Sequence, residues 1–218
     1  MRRMFVILGA TFFVAFLIGS LFELEPAAVS LPTKVADNMA VSGVEHPVTA
    51  VLLNFRGYDT LLEIAVLLSA LVVILAAGID TSTEVRPSVD PVVKTLARLV
   101  APVMAMVAIY LLWAGAFRPG GAFQAGAVLG AAAVLLHLSE LIAGWKSPKV
   151  MLRLGLIGGF LIFLAVAAAM LVHGALLEYP LDWAGDLILL IESGLTISLG
   201  LILAGLFLFL TRDDGGRV

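Results

Sequence analysis

Six stretches of this chain are nearly free of charge, and each is about as long as a helix that crosses a bilayer. A spanning helix needs about 20 mostly apolar residues. Met4–Phe22 and Leu99–Phe117 contain no Asp, Glu, Lys, Arg or His. Thr60–Ile79 carries a single charge, Glu63, and Gly121–Ser139 carries only His137 before running into Glu140. Leu154–Leu177 carries only His173, and Leu187–Thr211 only Glu192. In hydrocarbon every backbone N–H and C=O must be satisfied within its own segment, so such runs are helices. With 61% apolar residues against roughly 45–50% in soluble domains, the chain has too little polar surface to enclose itself in water. The expected fold is all-α: a polytopic membrane protein with about six transmembrane helices.

Basic residues set the orientation. If the N-terminus is cytoplasmic, ten of the thirteen Lys and Arg residues fall on the inner side and only Lys34, Arg56 and Arg118 on the outer side. Six spans then return the C-terminus to the cytoplasm, whereas an odd number would spoil the agreement. Arg2 and Arg3 before an apolar run also suggest a secretory signal, but the run is long for one and no A-x-A-like site follows, so the segment is expected to stay. Pro47–Phe55 (PVTAVLLNF) is apolar but too short to span, which suits an interfacial or re-entrant helix. Asp80–Thr95 is polar, contains two prolines and reads as a linker. The expected organisation is a two-span module over residues 1–80, a cytoplasmic linker over 81–98 and a four-span module over 99–218.

An ionisable side chain within a span is costly in lipid, so it faces protein or a water-filled path. Glu63, Glu192, Glu140, His137 and His173 are therefore the candidates for chemistry. The topology places Glu63 and Glu192 at similar depth on the outer side. They either form part of a cation or proton path or only fix packing through helix-end amides and hydroxyls. His137 and Glu140 are three residues apart, which on a continuous helix is one face. A di-metal carboxylate site would need such contributions from several helices. One pair in reverse order argues against a metal. The loop Phe117–Gly121 (FRPGG) reads either as a tight reversal with Arg118 reaching the interface, or as a contact to a partner subunit or anionic lipid. Small residues at helix-contact spacing, Ala122, Gly126 and Gly130, Gly155 and Gly159, Gly194 and Ser198, permit close packing in lipid.

Several function classes are excluded. The chain has no cysteine, hence no disulfide, thiolate metal site or thiol catalysis. It has no P-loop, HExxH or GxSxG motif, and no histidine pair placed for haem. A net charge of −3 offers no basic field for nucleic acid. No cofactor is expected. The residues alone support an ion-linked or purely structural membrane protein.

Two stretches carry a resemblance. Val48–Glu63 (VTAVLLNFRGYDTLLE), through Phe55, Arg56, Gly57, Tyr58, Asp59, Thr60 and Glu63, is similar to the C-terminal part of the large A-type subunit of multisubunit Na+/H+ antiporters of the Mrp or Mnh type. It is also similar to the E-type subunit of membrane-bound hydrogenases. Asn54 stands where an aspartate is more usual, and Leu62 where a glycine is common. Arg118–Phe123 (RPGGAF) resembles the Pro-Gly-Gly-Gly-Phe loop of the four-span B-type subunit of the same antiporters, with Ala122 replacing a glycine and Ala116–Phe117 where a His-Asn element often stands.

The resemblance implies a non-catalytic subunit of a large membrane complex whose partners are A-, C-, D-, E-, F- and G-type subunits, membrane lipid, Na+ and H+. It implies that Asp59 and Glu63, with Arg56 beside them, sit near the cation route or brace it. In such a complex the loop residues Arg118, Pro119, Gly120 and Gly121 are the candidate for a subunit contact, on the second of the two readings of that loop given above. The alternative is a membrane-arm subunit of a redox-driven ion pump, and a third class is a purely structural assembly factor.

Overall fold

The computed structural model describes residues 2–22, 30–76, 89–142, 150–172, 174 and 176–210. Among them every regular element is helical. The chain divides into two compact units, Met1–Lys34 and Val35–Val218. The first is dominated by α1 (Arg2–Phe22), whose described side chains are exposed.

The short helix α2 (Leu31–Asn38) is followed by a single 3-10 turn at Met39–Val41. The turn α3 (Pro47–Ala50) runs straight into a π turn, Val51–Phe55. Five longer helices come next: α4 (Gly57–Ala76), α5 (Pro91–Ala114), α6 (Ala122–Leu138), α7 (Val150–Met170) and α8 (Ala184–Leu210). Four of these, α4, α5, α7 and α8, are long and apolar enough to cross a membrane, and Val6–Phe22 and Ala122–Leu138 are shorter apolar helices. The chain is thus an all-α, multi-pass membrane protein, with about six apolar helices as its runs require.

Helix ends depart from the apolar runs for local reasons. Helix α5 starts at Pro91, eight residues before Leu99, because the Asp90 carboxylate accepts the Val92 N–H at 2.7 Å and Pro91 occupies the first helical position. Helix α7 stops at Met170, well short of Leu177. The Leu171 and Val172 N–H groups bond three residues back, to Ala168 and Ala169, instead of four. Gly174 takes φ +151 and Leu177 φ +64, which turns Leu177 and Tyr179 back into the core.

Helix α8 is the centre of the second unit and packs against α4, α5, α6 and α7. Its Ile188, Ile191, Leu195 and Leu199 are buried together with Ile64 of α4 and Phe163 of α7. The small-residue stripes form its seams. A Cβ on Gly126 would lie 2.8 Å from Leu199 Cβ, and one on Gly130 3.0 Å from the Gly200 carbonyl. On the other flank a Cβ on Gly159 would lie 2.6 Å from both the Gly194 carbonyl oxygen and Ser198 Cβ. Ser198 is buried there and its hydroxyl donates to the Leu156 carbonyl, so the seam carries a hydrogen bond as well as close packing.

Candidate functional site: a cavity with two carboxylates

The site is built from the RPGG loop, the α3 and π turns, and the helices α4, α6 and α8. Tight hydrogen bonds shape the loop: the Arg118 N–H donates to the Ala114 carbonyl and the Gly121 N–H to the Leu111 carbonyl, each at 2.8 Å. A side chain on Gly120 would run into the Leu111 carbonyl, and a Cβ on Gly115 would lie 2.6 Å from Gly121 Cα. The segment before α4 is strapped onto this loop. The Glu45 and His46 N–H groups both donate to the Ala116 carbonyl at 2.9 Å, and the Thr49 hydroxyl donates to the Gly115 carbonyl.

The π turn shifts the helical register just ahead of α4. The Arg56 N–H reaches five residues back to the Val51 carbonyl at 2.8 Å. The Leu52 carbonyl accepts the Thr60 hydroxyl at 2.6 Å. The Asn54 amide donates to the Ser42 carbonyl at 2.9 Å, a bond that an ionised aspartate could not make. Such turns recur at functional sites.

Glu192 of α8 is only 4% exposed. Its Oε1 accepts the Ala122 N–H at 3.3 Å, at the start of α6, where the free amide groups of a helix favour a carboxylate. Gly121 caps that helix with φ +98 and ψ −177, a conformation essentially reserved for glycine, and a Cβ there would lie 2.6 Å from Glu192 Oε1. The second glycine of the motif is therefore required twice, by its backbone and by the carboxylate beside it.

Glu192 and Glu63 line one cavity of about 220 Å³, with Thr49, Leu52, Gly121 and Gln124 among its walls. Glu63 is exposed and lies roughly 9 Å into α4, whereas Glu192 lies roughly 12 Å into α8, at about 1.5 Å per residue. Among the described residues no Lys or Arg lines this cavity. The aromatic side chains at the same end of α5 pack on one another: the Trp113 and Phe117 rings are 4.7 Å apart, edge to face. Aromatic rings concentrate at the membrane–water interface.

The other sequence candidates go elsewhere. Arg56 and Asp59 pair with each other on the surface, Nε to Oδ2 at 2.6 Å, and do not line the cavity. Helix α6 ends at Leu138, so Glu140 does not share a helical face with His137. It sits past the helix end at φ +57 and pairs with Lys94 Nζ at 2.8 Å, while His137 is half-buried. Arg118 and Pro119 are exposed at the loop tip, whereas Gly120 and Gly121 face the cavity. His173 lies outside the described residues. Sequence reading passed over Thr49, Gln124 and the Ala122 N–H. Only Gln124, a polar residue in the first turn of an apolar helix, left a visible signal.

Fold and site together define a multi-pass helical membrane protein with a carboxylate-lined cavity. A family model described as a domain related to the MnhB subunit of Na+/H+ antiporters matches residues 92–211, and the chain belongs to this family. No curated protein matches the chain. A chain in the structure of the membrane-bound sulfane sulfur reductase, an archaeal respiratory membrane complex, is similar over 96% of this chain and 97% of its own, with 21% identity and a TM-score of 0.74. A chain of the Mrp complex from Dietzia sp. DQ12-45-1b is similar over 100% of this chain at 21% identity and a TM-score of 0.68, this chain spanning 27% of its length. At such identity these two likenesses establish a shared fold.

Proposed function

We propose that the chain is the MnhB-type, non-catalytic membrane subunit of a multisubunit monovalent cation (Na+)/proton antiporter in a bacterial or archaeal cytoplasmic membrane. The match of residues 92–211 to the MnhB model carries this reading. It is supported by the similarity of the whole chain to one stretch of a Mrp-complex chain. The N-terminal module over residues 1–80, which holds the FRGYD segment, acts as an E-like module joined through residues 81–98 to the MnhB-type module over 99–218. Its partners are the other membrane subunits of the complex, and long exposed apolar faces on α4, α5 and α7 suit that role. The polar lining of the cavity offers no nucleophile poised beside a base: the Thr49 hydroxyl is committed to the Gly115 carbonyl. Glu63 and Glu192 serve ion passage instead.

A second reading has its own observation. The near-complete mutual coverage with the respiratory-complex chain favours a membrane-arm subunit of a redox-driven pump. A mild-detergent pull-down of the tagged chain from its own membranes, with mass spectrometry of the retained proteins, separates the two. Large antiporter-like subunits without redox proteins are the expected catch. Recovery with iron–sulfur or nickel subunits would establish the second reading, and recovery of the chain alone would overturn both.

A further inference from the structure

We propose that the groove between α5 and α6 binds one anionic phospholipid of the cytoplasmic leaflet, with an acyl chain lying in the groove and the phosphate held by Arg98. This site shares no residue with the carboxylate cavity, and its occupancy needs only that the chain spans a membrane.

Small side chains at helical spacing open the groove. On α5, Arg98, Ala101, Pro102 and Ala105 line it, one face at i, i+3, i+4 and i+7. On α6, Ala132 and Ala133 line the same space between Leu129 and Leu136. The alanines are too small to close the gap between the helices, and an open trough of about 660 Å³ remains. It runs about 10 Å along α5, at about 1.5 Å per residue.

The two ends of the trough differ. Helices α5 and α6 are joined by the tight RPGG loop, so the start of α5 lies beside the end of α6, where Lys94 Nζ meets Glu140 at 2.8 Å. The placement of basic residues makes this the cytoplasmic end. Arg98 stands there, about 10 Å into α5 at about 1.5 Å per residue. Helical side chains lean toward the N-terminus of their helix, so the guanidinium reaches back to the headgroup level while its stem covers apolar surface. Among the described residues the rest of the lining carries no charge. A cationic mouth at the interface above an apolar trough reaching into the bilayer is the polarity of a phospholipid in that leaflet.

Charge selects the headgroup. Arg98 is exposed, and among the described residues no carboxylate pairs with it. The acids of this end are engaged elsewhere: Glu140 holds Lys94, and Asp90 accepts the Val92 N–H at the start of α5. A guanidinium offers a fork of donors that fits a phosphate. A zwitterionic headgroup carries its own cation to that phosphate, so an anionic one gains more from Arg98. A helix from a partner subunit would have to bring a carboxylate to Arg98 at this depth, whereas a phospholipid places its phosphate there by its own orientation.

The test uses the native complex, purified from its own membranes and reconstituted into phosphatidylcholine nanodiscs. The probes are phosphatidylglycerol and phosphatidylcholine, each with a photoactivatable diazirine on an acyl chain, and peptide mass spectrometry locates the attached lipid. The phosphatidylglycerol probe should mark Ala105, Leu129 or Ala133 about fivefold more than the phosphatidylcholine probe, the preference that one arginine supplies at an anionic headgroup. Arg98→Gln should remove that preference, and Arg98→Lys should keep most of it. Ala133→Phe, which fills the trough and leaves the charge in place, should abolish labelling of Ala105 and Leu129 by either probe.

Equal labelling by the two probes, or a preference that survives Arg98→Gln, would overturn the assignment of the headgroup to Arg98. Groove residues that take no lipid from either probe would give the trough to another subunit and overturn the site itself. Labelling that persists in Ala133→Phe would do the same, and this variant decides the matter even where Arg98→Gln does not assemble.

Discussion

At the scale of single residues, Gly121 and Tyr179 give the sharpest expectations. Gly121→Ala forces a side chain into a backbone conformation of φ +98 and onto a carboxylate oxygen 2.6 Å away. The backbone strain alone costs about 1–3 kcal/mol. The variant should lower the thermal midpoint of the purified complex, and adding Glu192→Ala should recover the steric part but not the backbone part. A double-mutant cycle by differential scanning fluorimetry measures this, and strict additivity would sink the proposed contact.

Tyr179, in the connection between α7 and α8, is 8% exposed, and its hydroxyl has no hydrogen-bond partner among the described residues. Burial pushes its phenol above its ordinary value near 10. A raised phenol means that the folded state holds the proton more tightly than the unfolded one. Its contribution to stability is therefore complete below about pH 10 and is lost as pH rises above that. Tyr179→Phe should leave neutral-pH stability equal or higher by about 1 kcal/mol, since it removes an unsatisfied hydroxyl, and should flatten the alkaline fall in melting temperature. A melt series from pH 8 to about 11 checks both.

At the scale of elements, the helices were legible and their ends and turns were not. Six nearly uncharged runs announced helices because hydrocarbon permits little else, and their small residues announced close packing, which the structure places along α8. The π turn at Val51–Phe55, the early stop of α7 and the forward start of α5 depended on individual hydrogen bonds that no periodicity encodes. The α7–α8 seam gives a paired prediction. Gly159→Leu should cost about 1–3 kcal/mol or more, because its side chain would enter space held by the Gly194 carbonyl and Ser198. At Gly158, one residue away, an added Cβ would meet nothing within 4 Å, so Gly158→Leu should be tolerated better. The measurement is the fraction of chain retained in the detergent-solubilised complex, and equal retention of both variants would contradict the seam.

At the scale of the whole molecule, α8 is largely buried, whereas α4, α5 and α7 keep broad apolar faces exposed and α1 is exposed throughout its described length. Lipid can cover such faces, but in a subunit of a larger complex they are also the docking surfaces for other helices. The chain expressed alone should therefore accumulate less than the chain expressed with its partner subunits, and should aggregate sooner in detergent. Size-exclusion profiles of the two preparations make the comparison. A monodisperse, equally stable lone chain would argue for a protein that works by itself.

By itself the sequence determined that this chain lives in lipid, that its elements are helices and about how many, that its helices meet through small residues, and which carboxylates sit within them. Each of these follows from transfer cost, a property of residues and short segments taken one at a time. Only the tertiary structure decided which candidates belong together. Glu63 and Glu192 are 129 positions apart in sequence and meet at one cavity because α8 is the helix on which the others pack. Asp59, as near to Glu63 in sequence as one helical turn, is drawn instead to Arg56 at the surface. Glycine at 121 looked like turn chemistry, but the carboxylate that also demands it comes from a helix more than sixty residues later. Contacts of that kind depend on where whole helices come to rest, and pattern along a single chain does not carry that information.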